Sequence, residues 1–128
     1  MQKLFIFILS KSLGAYINIL GYVAPKKAST LAYKFFSEPR RGRLKKDQLP
    51  DILKEAEAEM ITHNEFIFQT YTWKGNDTKV LLVHGWESNA SRWETFIPYL
   101  KKAGATIIAI DAPAHGLSSG HEFTMPRY

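Results

Sequence analysis

Two short, uninterrupted apolar runs constrain the fold of this chain more than any other feature. VLLVHG (residues 80–85) and TIIAIDAP (residues 106–113) are separated by SRWETFIPYLKKAG (residues 91–104), in which apolar residues recur at helical spacing. Strands that are apolar on both faces are typical of a parallel sheet covered by helices. The sequence therefore predicts a right-handed strand-helix-strand unit and an α/β fold class.

The segment between the two runs has its own helix signals. Ser91 and Glu94 have the spacing of a capping box, and Gly104 suits the carboxyl end of a helix. Pro98 predicts a kink. The helix would bury one stripe, formed by Trp93, Phe96, Ile97 and Leu100.

Distinctive residues follow both strands. His84, Gly85 and Trp86 follow the first, and the stretch from Asp111 to Ser118 follows the second. The carboxyl ends of parallel strands meet at one edge of a sheet, where α/β proteins bind their ligands. We expect both groups to lie on one rim.

The chain resembles the opening of an α/β-hydrolase fold protein over roughly residues 65–120. The resemblance lies in the order of VLLVHGW, a helix and IIAIDAPAHGLSSG. The resemblance implies that the backbone N–H of Trp86 is an oxyanion-hole donor, in a turn that Gly85 allows and that His84 begins. It implies a structural loop that shapes the site, formed by Asp111, Pro113, His115, Gly116 and Ser118. A plain strand-to-helix turn with a buried tryptophan is the open alternative for the first motif.

GLSSG (residues 116–120) matches the GxSxG pattern of a serine nucleophile, but its surroundings do not. A nucleophile elbow needs a strand immediately before the motif and a helix immediately after it. The strand ends near Asp111, and HEFTMPRY (residues 121–128) has no helical stripe. We therefore expect Ser118 to be structural.

A triad built locally from Asp111, His115 or His121, and Ser118 would stand on a single loop, which is a poor scaffold for catalysis. We expect no catalytic residue within this chain. The resemblance places the nucleophile, the acid and the catalytic histidine beyond Tyr128. It also places a fifth strand there, beside residues 80–84, whose apolar edge we expect to be open.

These patterns predict the N-terminal portion of an esterase- or lipase-like serine hydrolase, which acts on a carboxylic ester or related bond of a small molecule and is inactive alone. Epoxide hydrolases and haloalkane dehalogenases usually have proline after the HGx turn, whereas this chain has Glu87, which favours esterase-like chemistry. The alternative is a non-catalytic truncated protein that binds a membrane surface or a protein partner.

Composition argues against several other functions. The chain has no cysteine, which excludes disulfides and thiol nucleophiles. Its histidines lack metal-site spacing and an acidic cluster, so we expect no metal and no cofactor. The basic residues lack interleaved aromatics or a known module, and we expect no nucleic-acid partner. The four histidines are His63, His84, His115 and His121.

The first half of the chain is basic, with ten Lys and Arg against two acidic residues in residues 1–50. LFIFILSKSLGAYINILGYVA (residues 4–24) is long enough for a membrane span, but Lys11 lies near its middle. A single-pass anchor and a signal peptide stay open. We favour an amphipathic helix that packs on the domain or lies on a membrane surface. The protein is then expected to be cytoplasmic, with peripheral contact to the inner membrane through residues 1–46 as an option.

The middle of the chain predicts three further elements. SEPRRGRLKKD (residues 37–47) is typical of a solvated linker, and DILKEAEAEM (residues 51–60) of a short helix. EFIFQTYTW (residues 65–73) and the run from Lys79 predict a hairpin around Gly75-Asn76-Asp77. The predicted fold is the N-terminal part of an α/β-hydrolase. It consists of N-terminal helices followed by a hairpin and a βαβ unit of a mostly parallel sheet. Its predicted parts are an amphipathic helical segment (1–36), a basic linker (37–47) and an incomplete hydrolase domain (48–128).

Overall fold

The computed structural model describes residues 2–124, and the chain divides into two compact units, Met1–Ser37 and Glu38–Tyr128. The first unit contains α1 (Gln2–Val23) and α2 (Pro25–Ser37). Pro25 has no N–H to donate and takes the first position of α2, where a helix tolerates proline. The Ala24 N–H still bonds to the carbonyl oxygen of Leu20 at 2.7 Å, so the two helices follow each other without a loop.

The second unit contains a four-stranded mixed sheet. Its elements are α3 (Asp51–Lys54), β1 (Glu57–His63), β2 (Phe66–Trp73), β3 (Lys79–Val83), α4 (Ile97–Lys102) and β4 (Thr106–Ile110), with 3₁₀ turns at Lys46–Gln48 and Ala90–Trp93. The strand order is β1-β2-β4-β3. β3 and β4 are parallel, with Leu82 opposite Ala109, as the two apolar runs predict. The other two strand pairs are antiparallel, so the described sheet is not mostly parallel.

The predicted hairpin was wrong in its partners. β2 pairs with β1 and with β4, and β3 lies on the far side of β4. The hairpin is formed by β1 and β2, which turn at Asn64 with a φ of 52°. Asparagine is one of the few residues that adopt this left-handed conformation readily.

The helix predicted over residues 51–60 ends at Lys54, and residues 57–60 belong to β1. All seven residues of β1 are exposed, so the strand shows no alternation of apolar and polar residues. Its glutamates, alanine and methionine favour a helix locally. Pairing with β2 overrides that weak preference because the backbone hydrogen bonds of a strand do not depend on side-chain pattern.

The helix predicted over residues 91–104 is two shorter pieces. Asn89, and not Ser91, caps the 3₁₀ turn, since its side chain accepts from the Ser91 N–H at 3.0 Å. Pro98 lies in the first turn of α4 and so produces no kink within the helix. Of the predicted stripe, Ile97 is fully buried whereas Phe96 is 46% exposed.

One face of the sheet builds the core. Tyr71, Trp73, Leu82, Ile107 and Ala109 are buried against residues of α3, the 3₁₀ turn and α4: Ile52, Leu53, Ala90 and Ile97. The opposite face of β3 is exposed at Leu81 and Val83. Within residues 2–124, β3 is an edge strand, and its parallel neighbour β4 is its partner on one side.

The prediction of a basic linker over residues 37–47 differs from the structure, in which the second unit begins at Glu38. The Leu44 N–H donates to the carbonyl oxygen of Gly116 at 3.1 Å, and the Gly116 N–H donates to that of Gly42 at 2.7 Å. This short bridge holds residues 42–44 against the loop that follows β4. Most of the predicted linker is therefore part of the unit that carries the site.

Ile107→Ala should lower the free energy of unfolding by about 2–5 kcal/mol, because it leaves a cavity between the sheet and α4. Ile107 is 0% exposed. Leu81→Ala, on the neighbouring strand at a residue that is 62% exposed, is the matched control and should change it by less than about 0.5 kcal/mol. Urea unfolding followed by circular dichroism measures both. Equal effects would contradict a one-sided core.

Candidate active site

The turn after β3 and the loop after β4 lie together, as predicted. The His84 ring accepts at Nε2 from the Ala112 N–H at 3.0 Å, and its Nδ1 is 2.8 Å from the carbonyl oxygen of Gly85. These bonds place the hydrogen on Nδ1. The rings of His84 and His115 are 5.2 Å apart between centroids. The two motifs therefore form one rim at the carboxyl ends of the parallel strands.

Asp111 connects three parts of this rim. Its side chain is fully buried, and Oδ1 accepts from the Ala90 N–H at 2.8 Å. Oδ2 accepts from the Leu117 N–H at 3.0 Å and from the Tyr71 hydroxyl at 3.3 Å. Burial, and then the neighbouring Asp111, raise the pKa of Tyr71, so its hydroxyl stays a donor. Hydrogen bonds of this kind make a buried carboxyl group tolerable.

His115 joins the loop to the predicted oxyanion turn. Its Nε2 accepts from the Glu87 N–H at 3.0 Å, and its Nδ1 donates to the carbonyl oxygen of Pro113 at 2.9 Å. Burial lowers the pKa of His115, although the bond to Pro113 opposes that change. The neutral ring is the form that can accept at Nε2.

Gly85 and Trp86 form the exposed lip of the turn. The Trp86 ring meets those of His115 and Phe123 edge-on, each at 5.7 Å between centroids. The tryptophan is 42% exposed, so the alternative of a turn with a buried tryptophan does not describe it. A Cβ on Gly85 would meet no atom within 4 Å. The described residues therefore do not themselves require glycine there, and the space beside it is open.

Ser118 is buried and bonded to backbone. Its Oγ accepts from the Gln69 N–H at 2.9 Å and donates to the carbonyl oxygen of Asp111 at 2.6 Å. His115 makes different bonds, and His121 is exposed. The atoms named in the local triad thus do not meet. No helix follows GLSSG up to Thr124, and the rest of the predicted non-helical tail, residues 125–128, lies outside the described residues.

Gly116 is required by the Asp111 side chain. It has a φ of 48°, and a Cβ there would overlap the Asp111 carboxyl group. Pro113, two residues beyond Asp111, is fully buried and supplies the carbonyl that orients His115. The residues assigned to a structural loop thus lie together in a buried loop.

Sequence reasoning missed Gly42 and Arg43. Gly42 has a φ of 87°, and a Cβ there would overlap the backbone of Ser88. The Arg43 guanidinium donates to the carbonyl oxygens of Ser118 and Gly120. Burial lowers the pKa of Arg43, and the neighbouring Asp111 partly offsets this. The glycine inside the RRGR run was the available signal, because a solvated linker has no need of one at a fixed position.

The arrangement is a rigid rim that presents backbone groups. Within residues 2–124 no group of three or more His, Asp or Glu side chains could hold a metal ion. The same residues supply two histidine rings that accept hydrogen bonds from backbone N–H groups, and the Ser118 hydroxyl bonds to backbone groups of Gln69 and Asp111. The two histidines and Ser118 therefore hold the backbone of the described rim in place.

Comparison with known proteins identifies the fold. A model of the α/β-hydrolase fold family matches residues 78–128. Residues 78–128 are therefore similar to the proteins of the α/β-hydrolase fold family. This confirms the resemblance seen in HGW and DAPAHGLSSG, and with it the prediction of an N-terminal part of this fold.

Individual known proteins are similar to parts of this chain. A serine hydrolase-like protein of Dictyostelium discoideum is 44% identical over 45 residues, which are 35% of this chain and 12% of that protein. An esterase of Pyrococcus furiosus superposes with a TM-score of 0.52 and 28% identity, over 66% of this chain and 34% of that one. A thioesterase domain from the curacin biosynthetic pathway has a TM-score of 0.47 and 23% identity, over 51% and 24%. The chain thus spans between 12% and 34% of these relatives.

Ser118→Ala should lower the free energy of unfolding by about 1–3 kcal/mol, because it leaves the buried Gln69 N–H without an acceptor. Ser119→Ala is the matched control. Ser119 Oγ accepts from the Ile67 N–H at 2.8 Å at a partly exposed position, where water can replace it, so a smaller loss is expected. Urea unfolding measures both. If Ser118→Ala were neutral, the structural role of this hydroxyl would be wrong.

His115→Gln should remove part of the acid sensitivity of the fold. The pKa of His115 in the folded chain lies below its ordinary value of 6.5, so the unfolded chain binds the proton more readily. The free energy of unfolding should therefore fall as the pH drops below about 6.5, until the pH has passed the pKa of His115 in the folded chain. Glutamine keeps an acceptor for Glu87 without titrating. Unfolding curves between about pH 5 and 8 test this. Parent and variant curves with the same pH dependence would refute it.

Proposed function

We propose that this chain carries the oxyanion-hole half of an esterase-like serine hydrolase, in which the N–H of Trp86 stabilises the oxyanion formed on the carbonyl of a carboxylic ester or related bond. The observation that carries the proposal is the bond from the Glu87 N–H to His115. That bond anchors the residue after Trp86 to a buried loop. A donor held in place before the reaction needs no reorganisation when charge develops.

The open space beside Gly85 supports the same role. A side chain at this position would meet nothing in the described residues, yet the sequence has glycine there. A substrate carbonyl, or the backbone of a nucleophile elbow, can approach closely where no Cβ stands in the way. We therefore place the reacting carbonyl beside Gly85 and Trp86.

Glu87 favours esterase-like chemistry over the epoxide hydrolase and dehalogenase pattern. Its φ is 50°, whereas proline is held near −65°. Proline also has no N–H to donate to His115. This turn is thus incompatible with the proline that those enzymes usually have, and the named serine hydrolase-like and esterase relatives agree with the choice.

The nucleophile, the acid and the catalytic base of the proposed enzyme are contributed outside these residues. Ser118 is 2% exposed, and backbone groups occupy its hydroxyl. A serine nucleophile needs a histidine at hydrogen-bond distance, and His115 is bonded elsewhere. The 128 residues alone should therefore not turn over an ester, and a fluorophosphonate should not label Ser118.

The experiment replaces one backbone N–H of the native protein by oxygen. Incorporating indole-3-lactic acid at position 86 keeps the Trp86 side chain and removes its N–H. The expected result is a fall of about 10²–10³-fold in kcat for a p-nitrophenyl ester. The same replacement at Trp93, in the 3₁₀ turn, is the matched control and should have little effect on kcat.

The outcomes separate the parts of the proposal. Unchanged turnover after the replacement at position 86 would refute the oxyanion role of this N–H. Mass spectrometry of the fluorophosphonate-treated native protein locates the nucleophile. A label on Ser118 would overturn its structural assignment, and a native protein with neither turnover nor label would overturn the hydrolase proposal as a whole.

A further inference from the structure

α1 presents a broad apolar surface to solvent. Phe5, Leu9, Tyr16, Ile19 and Val23 recur at spacings that place them on one side of the helix, and each is more than half exposed. The helix from Lys3 to Val23 is long and apolar enough to cross a membrane, by length and composition. Exposed apolar patches of this extent mark interaction sites.

The other side of α1 carries a narrow polar stripe. Ser10, Lys11, Gly14 and Asn18 line one groove there, together with Ala15. Phe7 also lies on this side of the helix, and the Lys11 ammonium is 5.6 Å from the centre of its ring, within the range of a cation–π interaction. An apolar face opposite a polar stripe is the pattern of a helix that lies in the plane of a membrane interface.

The charge of the chain is concentrated in the same unit. Residues 1–37 contain five lysines and no acidic residue, whereas residues 38–128 contain twelve basic and twelve acidic residues. The whole net charge of +5 therefore belongs to the helical unit. On α2, three of the lysines line one groove with Thr30 and Leu31: Lys26, Lys27 and Lys34. Such a face complements an anionic surface.

We propose that residues 2–37 bind the surface of a membrane that contains anionic lipids. α1 lies in the interface with its apolar face in the acyl region, and the lysines of α2 contact the headgroups. A spanning α1 would bring Lys11 to the middle of the bilayer, at a cost of roughly 2.5 kcal/mol or more. Lying in the plane instead leaves Lys11 and Asn18 in contact with headgroups and water.

The first test is flotation of the full chain with vesicles. Binding is expected to vesicles of phosphatidylglycerol mixed with phosphatidylcholine, and to weaken as salt is added. The double variant Lys26→Glu, Lys27→Glu should bind at least about 30-fold more weakly, since each basic residue contributes about 1 kcal/mol. Lys79→Glu, Lys102→Glu makes the same charge change at exposed residues of the second unit and should retain most of the binding.

Three results would overturn this part of the proposal. The first is no binding to the phosphatidylglycerol-containing vesicles, and the second is equal binding to vesicles of pure phosphatidylcholine. The third is an equal loss of binding in the two double variants. The last result would assign the effect to net charge alone, without a role for the α2 face.

The second test measures depth, and the absence of cysteine from the chain makes single labels clean. Nitroxides are attached to Phe5→Cys, Tyr16→Cys, Val23→Cys and Asn18→Cys in the vesicle-bound chain. An in-plane helix places the first three at similar depth and the label at position 18 near the headgroups. A depth that peaks near position 16 and falls towards positions 5 and 23, with position 18 also in hydrocarbon, would show a spanning helix and refute the proposal.

Discussion

The buried carboxyl group of Asp111 is the interaction on which the rest of the site depends. It holds the end of β4, the start of the 3₁₀ turn through Ala90, the returning loop through Leu117 and strand β2 through Tyr71. A carboxyl group away from water requires such donors, because each missing one would cost free energy. Its position in turn demands glycine at residue 116. One side chain thus sets the path of the whole loop.

From this centre, order extends to the proposed oxyanion turn. The loop that Asp111 shapes presents His115, which accepts from the Glu87 N–H and so holds the turn that follows β3. Behind the loop, Arg43 donates to two of its carbonyl oxygens. The loop after β4 and the segment around Arg43, which are distant in sequence, therefore support one short stretch of backbone, the turn after β3. Such support is what a preorganised hydrogen-bond donor needs.

The sequence predicted some elements well and others poorly, for identifiable reasons. The parallel pair of β3 and β4 was visible because both strands are apolar runs with a helical pattern between them. β1 was hidden, since all its residues are exposed and its composition suits a helix. The basic segment around Gly42 was predicted as linker because charge is usually solvated, whereas the structure uses Arg43 as a hydrogen-bond donor to a loop.

By itself, the sequence determined the α/β class, the family resemblance and the concentration of charge in residues 1–37, because each is a property of local pattern or composition. The tertiary structure decided that β2 lies beside β4, that Ser118 is buried and bonded to backbone, and that His115 meets Glu87. These facts depend on hydrogen bonds between residues 28 or more positions apart. No local pattern encodes such a pairing, because the paired groups meet only after the sheet has brought the strand ends together.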